Sequence, residues 1–131
     1  MTNRVVFEYH PGLNIVFTED HWDVKTNQDV DAFYEEYRKY FEALGKRVYM
    51  VSNINDLRVH AEVADYYGDK AKSTVSQYLL GFARWGTNDM ARMTVRTTSL
   101  KKKFRPNIYS TREEAIKAIE QRKGEKEEPA V

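Results

Sequence analysis

The polar side chains best suited to chemistry follow two strands of the predicted sheet. In a parallel α/β sheet, ligands bind outside the carboxyl ends of the strands, so we expect a binding site at this edge. The first amides of the following helix, with Arg92 nearby, are suited to hold an anion. The competing interpretation is that the asparagines and the aspartate serve as turn and cap residues. The candidate binding residues are Asn53, Asn55, Asp56, Arg58, His60, Arg84, Trp85, Asn88, Arg92 and Arg96.

The spacing of these residues matches no common catalytic or metal-binding pattern. Ser52, Asp56 and His60 could be written as a triad, but nothing around the serine resembles a nucleophile elbow. Asp56 and Glu62 could form a carboxylate pair, but no second motif would orient a substrate beside them. The three histidines lack metal-ligand spacing, and no glycine-rich nucleotide-binding motif occurs. We therefore predict no catalytic residues, no metal and no cofactor.

Charge is unevenly distributed along a chain whose net charge is +1. Residues 19–36 carry seven acids and one base, whereas residues 90–112 carry seven bases and no acid. The densest cluster, Lys101 to Arg105, complements the dipole at the end of a predicted helix. It also fits a footprint for an acidic protein, an anionic lipid or nucleic acid. Nucleic acid is disfavoured as a partner, because aromatic residues do not alternate with the lysines and arginines as a base-stacking surface requires.

Composition indicates one domain in a reducing compartment. A chain of 131 residues fits a single domain with a core of its own. It has no cysteine, which excludes disulfides and thiolate chemistry. We expect a cytoplasmic location, because no signal-peptide pattern and no apolar run of about 20 residues occurs.

Hydrophobic periodicity predicts strands and helices that alternate after an opening hairpin. A turn at His10-Pro11-Gly12 joins the first two strands, and Thr26 or Asn27 caps a helix that Gly45 ends. Thr87 or Asn88 caps the third helix. The predicted strands are 5–9, 13–18, 48–54, 78–85 and 107–109, and residues 55–58 are predicted to form a loop. The second helix is predicted at 60–77 and the third at about 88–103. A capping box at Ser110–Glu113 begins the last helix.

These elements define an α/β fold of order ββαβαβαβα with a mixed, mostly parallel sheet flanked by helices. We place the domain at residues 1–123. Residues 124–131 are charged and almost free of apolar side chains, so we predict a disordered tail.

This layout resembles the STAS domain, and most closely its SpoIIAA-like branch. The resemblance extends from Val5 to about Lys123, and its clearest local part is the ending, where the strand Asn107-Ile108-Tyr109 precedes Ser110-Thr111-Arg112-Glu113-Glu114-Ala115. It implies a bacterial regulatory or binding module without catalytic machinery. The antagonist branch carries a phosphorylated serine at the start of its second helix, but the matching stretch here, Val59-His60-Ala61-Glu62, has no hydroxyl side chain. In this respect the chain resembles a group of the superfamily suspected of binding lipids or small apolar ligands.

We therefore expect a non-enzymatic regulatory or protein-interaction module whose partner is another protein. The alternative is a carrier or sensor for a small molecule or lipid, with a pocket between sheet and helices lined by Phe82, Trp85, Met90 and Met93. A homodimer through the tyrosine-rich first helix, with Tyr40 outermost, is left open. Trp22 is expected to cover one end of the core.

Overall fold

A computed structural model shows the fold and describes residues 2–101 and 107–125. The elements are β1 (Arg4–His10), β2 (Ile15–Val24), α1 (Asn27–Leu44), β3 (Val48–Asn53), β4 (Leu57–Val59), a 3-10 turn (Ala61–Val63), α2 (Ala64–Tyr78), β5 (Leu79–Trp85), α3 (Asp89–Lys101), β6 (Ile108–Tyr109) and α4 (Arg112–Glu125).

The strands form one mixed sheet in the order β1-β2-β3-β5-β6, and β4 pairs with β2 outside this path. β1 runs antiparallel to β2, whereas the remaining pairs are parallel. The prediction of an α/β fold with an opening hairpin and a mostly parallel sheet is confirmed. The described residues form six strands rather than the predicted five, and the additional strand is β4.

The second strand is longer than predicted. The periodicity predicts an end at Thr18, but β2 continues to Val24, because its residues 19–21 pair with β1 and its last three residues pair with β4. The predicted loop at 55–58 is wrong in its second half, since Leu57 begins β4. The second helix starts later than predicted, at Ala64, after the 3-10 turn.

Helix caps follow local side-chain chemistry. Thr26 Oγ1 accepts a hydrogen bond from the Asp29 amide, and the Asp29 carboxylate accepts one from the Thr26 amide. Gly45 ends α1 with a φ of 74°, a conformation that glycine adopts at little cost. The predicted capping box at Ser110 is wrong by one residue, because Thr111 Oγ1 accepts from the Glu114 amide at 3.1 Å.

The sheet separates two apolar clusters. The larger lies under α1, α2 and α3, and α1 contributes Phe33, Tyr37 and Phe41 to it. The smaller lies under α4, which contributes Ala115 and Ile119. The larger cluster includes Trp22, so its predicted role in covering the core is confirmed.

The last helix extends past the predicted end of the domain. α4 continues through Gly124 to Glu125, two residues past the predicted domain boundary. The rest of the predicted tail, residues 126–131, lies outside the described residues, as do Lys102 to Arg105 of the basic cluster. Within residues 2–101 and 107–125, no helix has the length and apolar character that a membrane span requires.

Candidate functional site

The predicted strand-end residues divide into four groups. Asn53 and Trp85 are register partners at the ends of β3 and β5, and Asn55, Asn88 and Arg92 lie in the adjoining loops and the first turn of α3. Asp56, Arg58 and His60 lie in and around β4, beside β2. Arg84 is buried on the helix-covered face under α1 and α2, and Arg96 is exposed further along α3. The structure therefore brings together only half of the predicted set.

The three asparagines hold one loop to another. Asn55 Oδ1 accepts hydrogen bonds from the amides of Thr87 at 2.8 Å and Asn88 at 3.2 Å. Asn88 Nδ2 donates to the Asn55 carbonyl, and Asn88 Oδ1 caps α3 by accepting from the Ala91 amide. Asn53 Oδ1 accepts from the Asn55 amide at 3.0 Å. These bonds are the turn and cap roles that the competing interpretation predicted.

Arg92 is engaged in the same framework. Its guanidinium donates to the carbonyl of Gly86 at 2.9 Å and to that of Tyr109 at 3.1 Å. These bonds tie the first turn of α3 to the loop after β5 and to β6. Both bonds are donated by Nη1, so the guanidinium is anchored to backbone carbonyls of this framework.

The two histidines near this edge form separate pairs with carboxylates. His60 Nε2 lies 2.7 Å from Asp23 Oδ1, and His21 Nδ1 lies 2.7 Å from Asp56 Oδ2. Asp56 and His60 therefore each have a partner on β2 rather than one another. Among the described residues, no three His, Asp or Glu side chains come close enough to hold a metal ion.

A buried polar cluster lies on the face of the sheet that α1 and α2 cover. The register aligns Thr18, Ser52 and Arg84 in one row across β2, β3 and β5, and Asp20 follows Thr18 on the same face. All four are buried. Thr18 Oγ1 donates to Ser52 Oγ at 2.7 Å. Tyr37 of α1 reaches down to this row, where its hydroxyl donates to the Asp20 carboxylate and lies 3.1 Å from Thr18 Oγ1.

Burial dominates the ionisation of this cluster. It raises the pKa of Asp20 to about 6, although the hydrogen bond from Tyr37 and the positive charge of Arg84 act in the opposite direction. Burial and then the Asp20 charge raise the pKa of Tyr37 well above its ordinary value. The Arg84 guanidinium lies 4.5 Å from the centre of the Phe82 ring. A carboxyl group with a pKa near 6 can accept or donate a hydrogen bond near neutral pH.

A small cavity of about 20 Å³ adjoins the cluster between the sheet, α1 and α2. A cavity of this size holds about one water molecule. Its polar lining includes Asp20, Ser52 and Arg84, and the hydroxyl-bearing residues Tyr34 and Tyr67. Burial raises the pKa of both tyrosines, so their hydroxyls stay protonated at neutral pH. The arrangement is suited to holding a small polar molecule by hydrogen bonds.

The sequence contained one signal for Asp20 that the prediction did not use. Side chains alternate along a strand, so Val16, Thr18, Asp20 and Trp22 share a face. The predicted second strand ends at Thr18, so Asp20 falls outside it. The contact of the Tyr37 hydroxyl with Asp20 depends on how α1 packs on β2, which the helix pattern does not specify.

The exposed side of α3 carries two large apolar side chains. Met90 and Met93 are 56% and 63% exposed, although most large apolar side chains of the described residues are buried. They are three residues apart, so they are neighbours on the helix, and Arg96 is exposed one turn further on. The alternative prediction required both methionines to line a pocket between the sheet and the helices. Their exposure shows that they do not.

The part of the chain that the structure describes is an α/β fold with four helices and a mixed six-stranded sheet. Comparisons with protein-family models, with curated proteins and with solved structures find no match to this chain.

Proposed function

We propose that this protein is a STAS-like regulatory or protein-interaction module that binds its partner through α3. The binding surface consists of Met90, Met93 and Arg96, which we call the α3 surface. Its support is the exposure of two neighbouring methionines on a protein whose other large apolar side chains are mostly buried. Methionine is common at binding surfaces because its flexible side chain adapts to varied shapes.

Charge indicates what kind of partner fits this surface. Arg96 is exposed beside the methionines, and Arg58 is exposed on β4, which packs against α3. The chain adds further bases along residues 90–112 and no acid. We therefore propose an acidic protein surface that presents an apolar side chain to the methionines. Opposite charge would speed the encounter, and burial of the methionines would hold the complex.

The order of the elements supports the STAS-like part of the proposal. An opening hairpin precedes strands that alternate with helices, and the last helix follows a short strand. The start of the second helix departs from the family, because residues 59–62 contain no serine or threonine. The proposal therefore includes no phosphorylation at that position.

Affinity purification with matched variants tests this function. Tagged wild-type protein, Met93→Asp and Leu13→Asp are compared by quantitative mass spectrometry of the bound proteins. Leu13 is the control, because it is a large apolar residue that is 38% exposed in the hairpin turn, away from α3. We expect an acidic protein to be retained by the wild type and by Leu13→Asp, and to be lost from Met93→Asp. Equal retention by both variants would contradict the proposal.

A second function is favoured by the cavity beside Asp20. Its lining combines apolar side chains with Asp20, Ser52 and Arg84, so we propose a small ligand that forms hydrogen bonds with these three residues. The cavity is about the size of one water molecule, so a larger ligand would require α1 and α2 to separate. Native mass spectrometry of freshly purified protein tests this function. A bound mass that is absent from Asp20→Ala would support it, and a bare chain mass in the wild type would contradict it.

A further inference from the structure

The outer edge of β1 is a strand edge that can accept another strand. β1 lies at one end of the sheet, and its seven residues pair with β2 in a continuous antiparallel register. Within residues 2–101 and 107–125, no strand pairs with its other side. The strand contains no proline and no irregularity in its pairing, two devices that proteins commonly use to block such an edge.

The pairing of β2 identifies the backbone groups on this edge. The Asn14 carbonyl accepts from the Tyr49 amide, and the Trp22 amide donates to the Asp56 carbonyl, so even-numbered residues of β2 direct their backbone toward β3 and β4. Odd-numbered residues of β2 therefore face β1, where they are paired with even-numbered residues. It follows that Val5, Phe7 and Tyr9 direct their amides and carbonyls outward.

The side chains of β1 lie on two faces. Phe7 stacks on Tyr40 of α1 with ring centres 4.3 Å apart, so odd-numbered side chains lie on the α1 side. Arg4, Val6 and Glu8 lie on the opposite face, where all three are exposed. An arginine and a glutamate thus flank a valine at equal distances in the sequence.

We propose that a second copy of this chain adds its own β1 to this edge, antiparallel and centred on Val6. In this register Arg4 of each copy lies opposite Glu8 of the other, and the two Val6 side chains meet at the twofold axis. Val5 lies opposite Phe7 of the second copy, which satisfies the outward-directed amides and carbonyls. The assembly joins two sheets into one continuous sheet.

Charge complementarity selects this register from the alternatives. Outward-directed residues must face each other, so the register can shift only in steps that keep odd residues opposite odd residues. Centring on Phe7 would place Val6 opposite Glu8 and Arg4 opposite His10, and centring on Val5 would place Arg4 opposite Val6. Of these three registers, only the one centred on Val6 forms two opposite-charge pairs. Each such pair stabilises the pairing of two strands.

Disulfide trapping tests the register directly, because the chain contains no cysteine. The Val6 residues would form a non-hydrogen-bonded pair with Cα atoms about 4.5 Å apart, within the range a disulfide spans. We expect Val6→Cys to form a disulfide-linked dimer under mild oxidation. Val5→Cys serves as the control, because in this register Val5 lies opposite Phe7 and the two cysteines do not face each other. Equal trapping of both variants, or none for Val6→Cys, would overturn the proposal.

A charge exchange tests the same contacts without cross-linking. Arg4→Glu and Glu8→Arg each place like charges opposite one another twice, so we expect the dimer Kd in analytical ultracentrifugation to rise about tenfold. The double variant Arg4→Glu/Glu8→Arg restores opposite charges and should return the Kd to near the wild-type value. Glu62→Arg is the control for a change of charge away from β1, and thermal unfolding confirms that each variant folds.

A monomeric wild type at the highest attainable concentration would overturn the dimer, and so would single variants with an unchanged Kd. The test is independent of the proposed partner. α3 lies away from β1 in the fold, so loss of either surface leaves the other open to measurement.

Discussion

The Tyr37 hydroxyl donates a hydrogen bond to the Asp20 carboxylate inside the core of the protein, between α1 and the middle of β2. Burial of a carboxyl group is costly, and this bond with the nearby Arg84 offsets only part of the cost, because the pKa of Asp20 stays at about 6. An asparagine would fill the same space without charge. A carboxyl group buried at this cost is a candidate for function, and its ionisation is measurable.

Replacing Asp20 by asparagine is expected to remove a pH-dependent cost of folding. The folded chain releases the Asp20 proton near pH 6, whereas the ordinary value is 3.8. The contribution of Asp20 to the free energy of unfolding is thus fully present below pH 3.8 and is lost as the pH rises through 6. Since the two pKa values differ by about two, this loss is about 3 kcal/mol.

Urea unfolding of wild type and Asp20→Asn between about pH 4 and pH 7.5 measures this effect. The stability of Asp20→Asn relative to wild type should increase by about 3 kcal/mol over that range. The comparison with the variant removes the contributions of other carboxyl groups, which are common to both proteins. A difference that does not change with pH would contradict the burial of an ionisable Asp20.

Tyr37→Phe is expected to raise the pKa of Asp20 above 6, because the hydrogen bond from the hydroxyl favours the ionised carboxylate. Carboxyl carbon chemical shifts measured by NMR as a function of pH report this value. The variant should also lose about 1–3 kcal/mol of stability at neutral pH, where the buried carboxylate is left short of a donor. Tyr40→Phe, at a partly exposed position of the same helix, is the control and should leave the Asp20 titration unchanged.

Arg92→Met and Arg96→Met should differ sharply in stability, although both remove a positive charge from α3. Arg92 holds two backbone carbonyls, so its loss should cost about 2 kcal/mol. Arg96 is exposed, so its replacement should change stability by less than about 0.5 kcal/mol. Chemical unfolding measures both values. Equal effects would show that the Arg92 contacts do not hold α3 to the sheet.

Thr111→Ala should destabilise α4 by about 1 kcal/mol, because the threonine accepts from the Glu114 amide. Ser110→Ala should have almost no effect, although the sequence pattern placed the cap there. Thermal unfolding of the two variants decides between the two capping positions. A larger effect at Ser110 would restore the cap that the sequence predicted.

Strong local patterns predicted most of the fold. The apolar run at 48–54, the period of α1 and the caps at Thr26 and Gly45 each specify their element with little help from the rest of the chain. β4 was missed because three residues are too short for a period, and its pairing with the end of β2 depends on a contact distant in sequence. The part of β2 that contains Asp20 depends on its pairing with β1, where Asp20 lies opposite Val5.

The candidate site was less predictable, because the role of a polar residue depends on its partner. Asn55 and Asn88 follow strands, as a ligand-binding residue would, but their side chains hold the backbone of the neighbouring loop. Arg92 reaches Tyr109, seventeen positions away, and no local pattern specifies that contact. Met90 and Met93 fit a core-facing pattern equally well, and only the packing of α3 shows that they are exposed.

Site-specific photocrosslinking in cells tests the proposed function most directly. A photoreactive amino acid replaces Met93 in one variant and Leu13 in the other, since both are exposed apolar positions. We predict that the Met93 variant forms a crosslink to one acidic protein, that added Arg96→Glu weakens the crosslink, and that the Leu13 variant does not form it. A Met93 variant that forms no crosslink, or the same crosslinks as the Leu13 variant, would contradict a partner-binding role for α3.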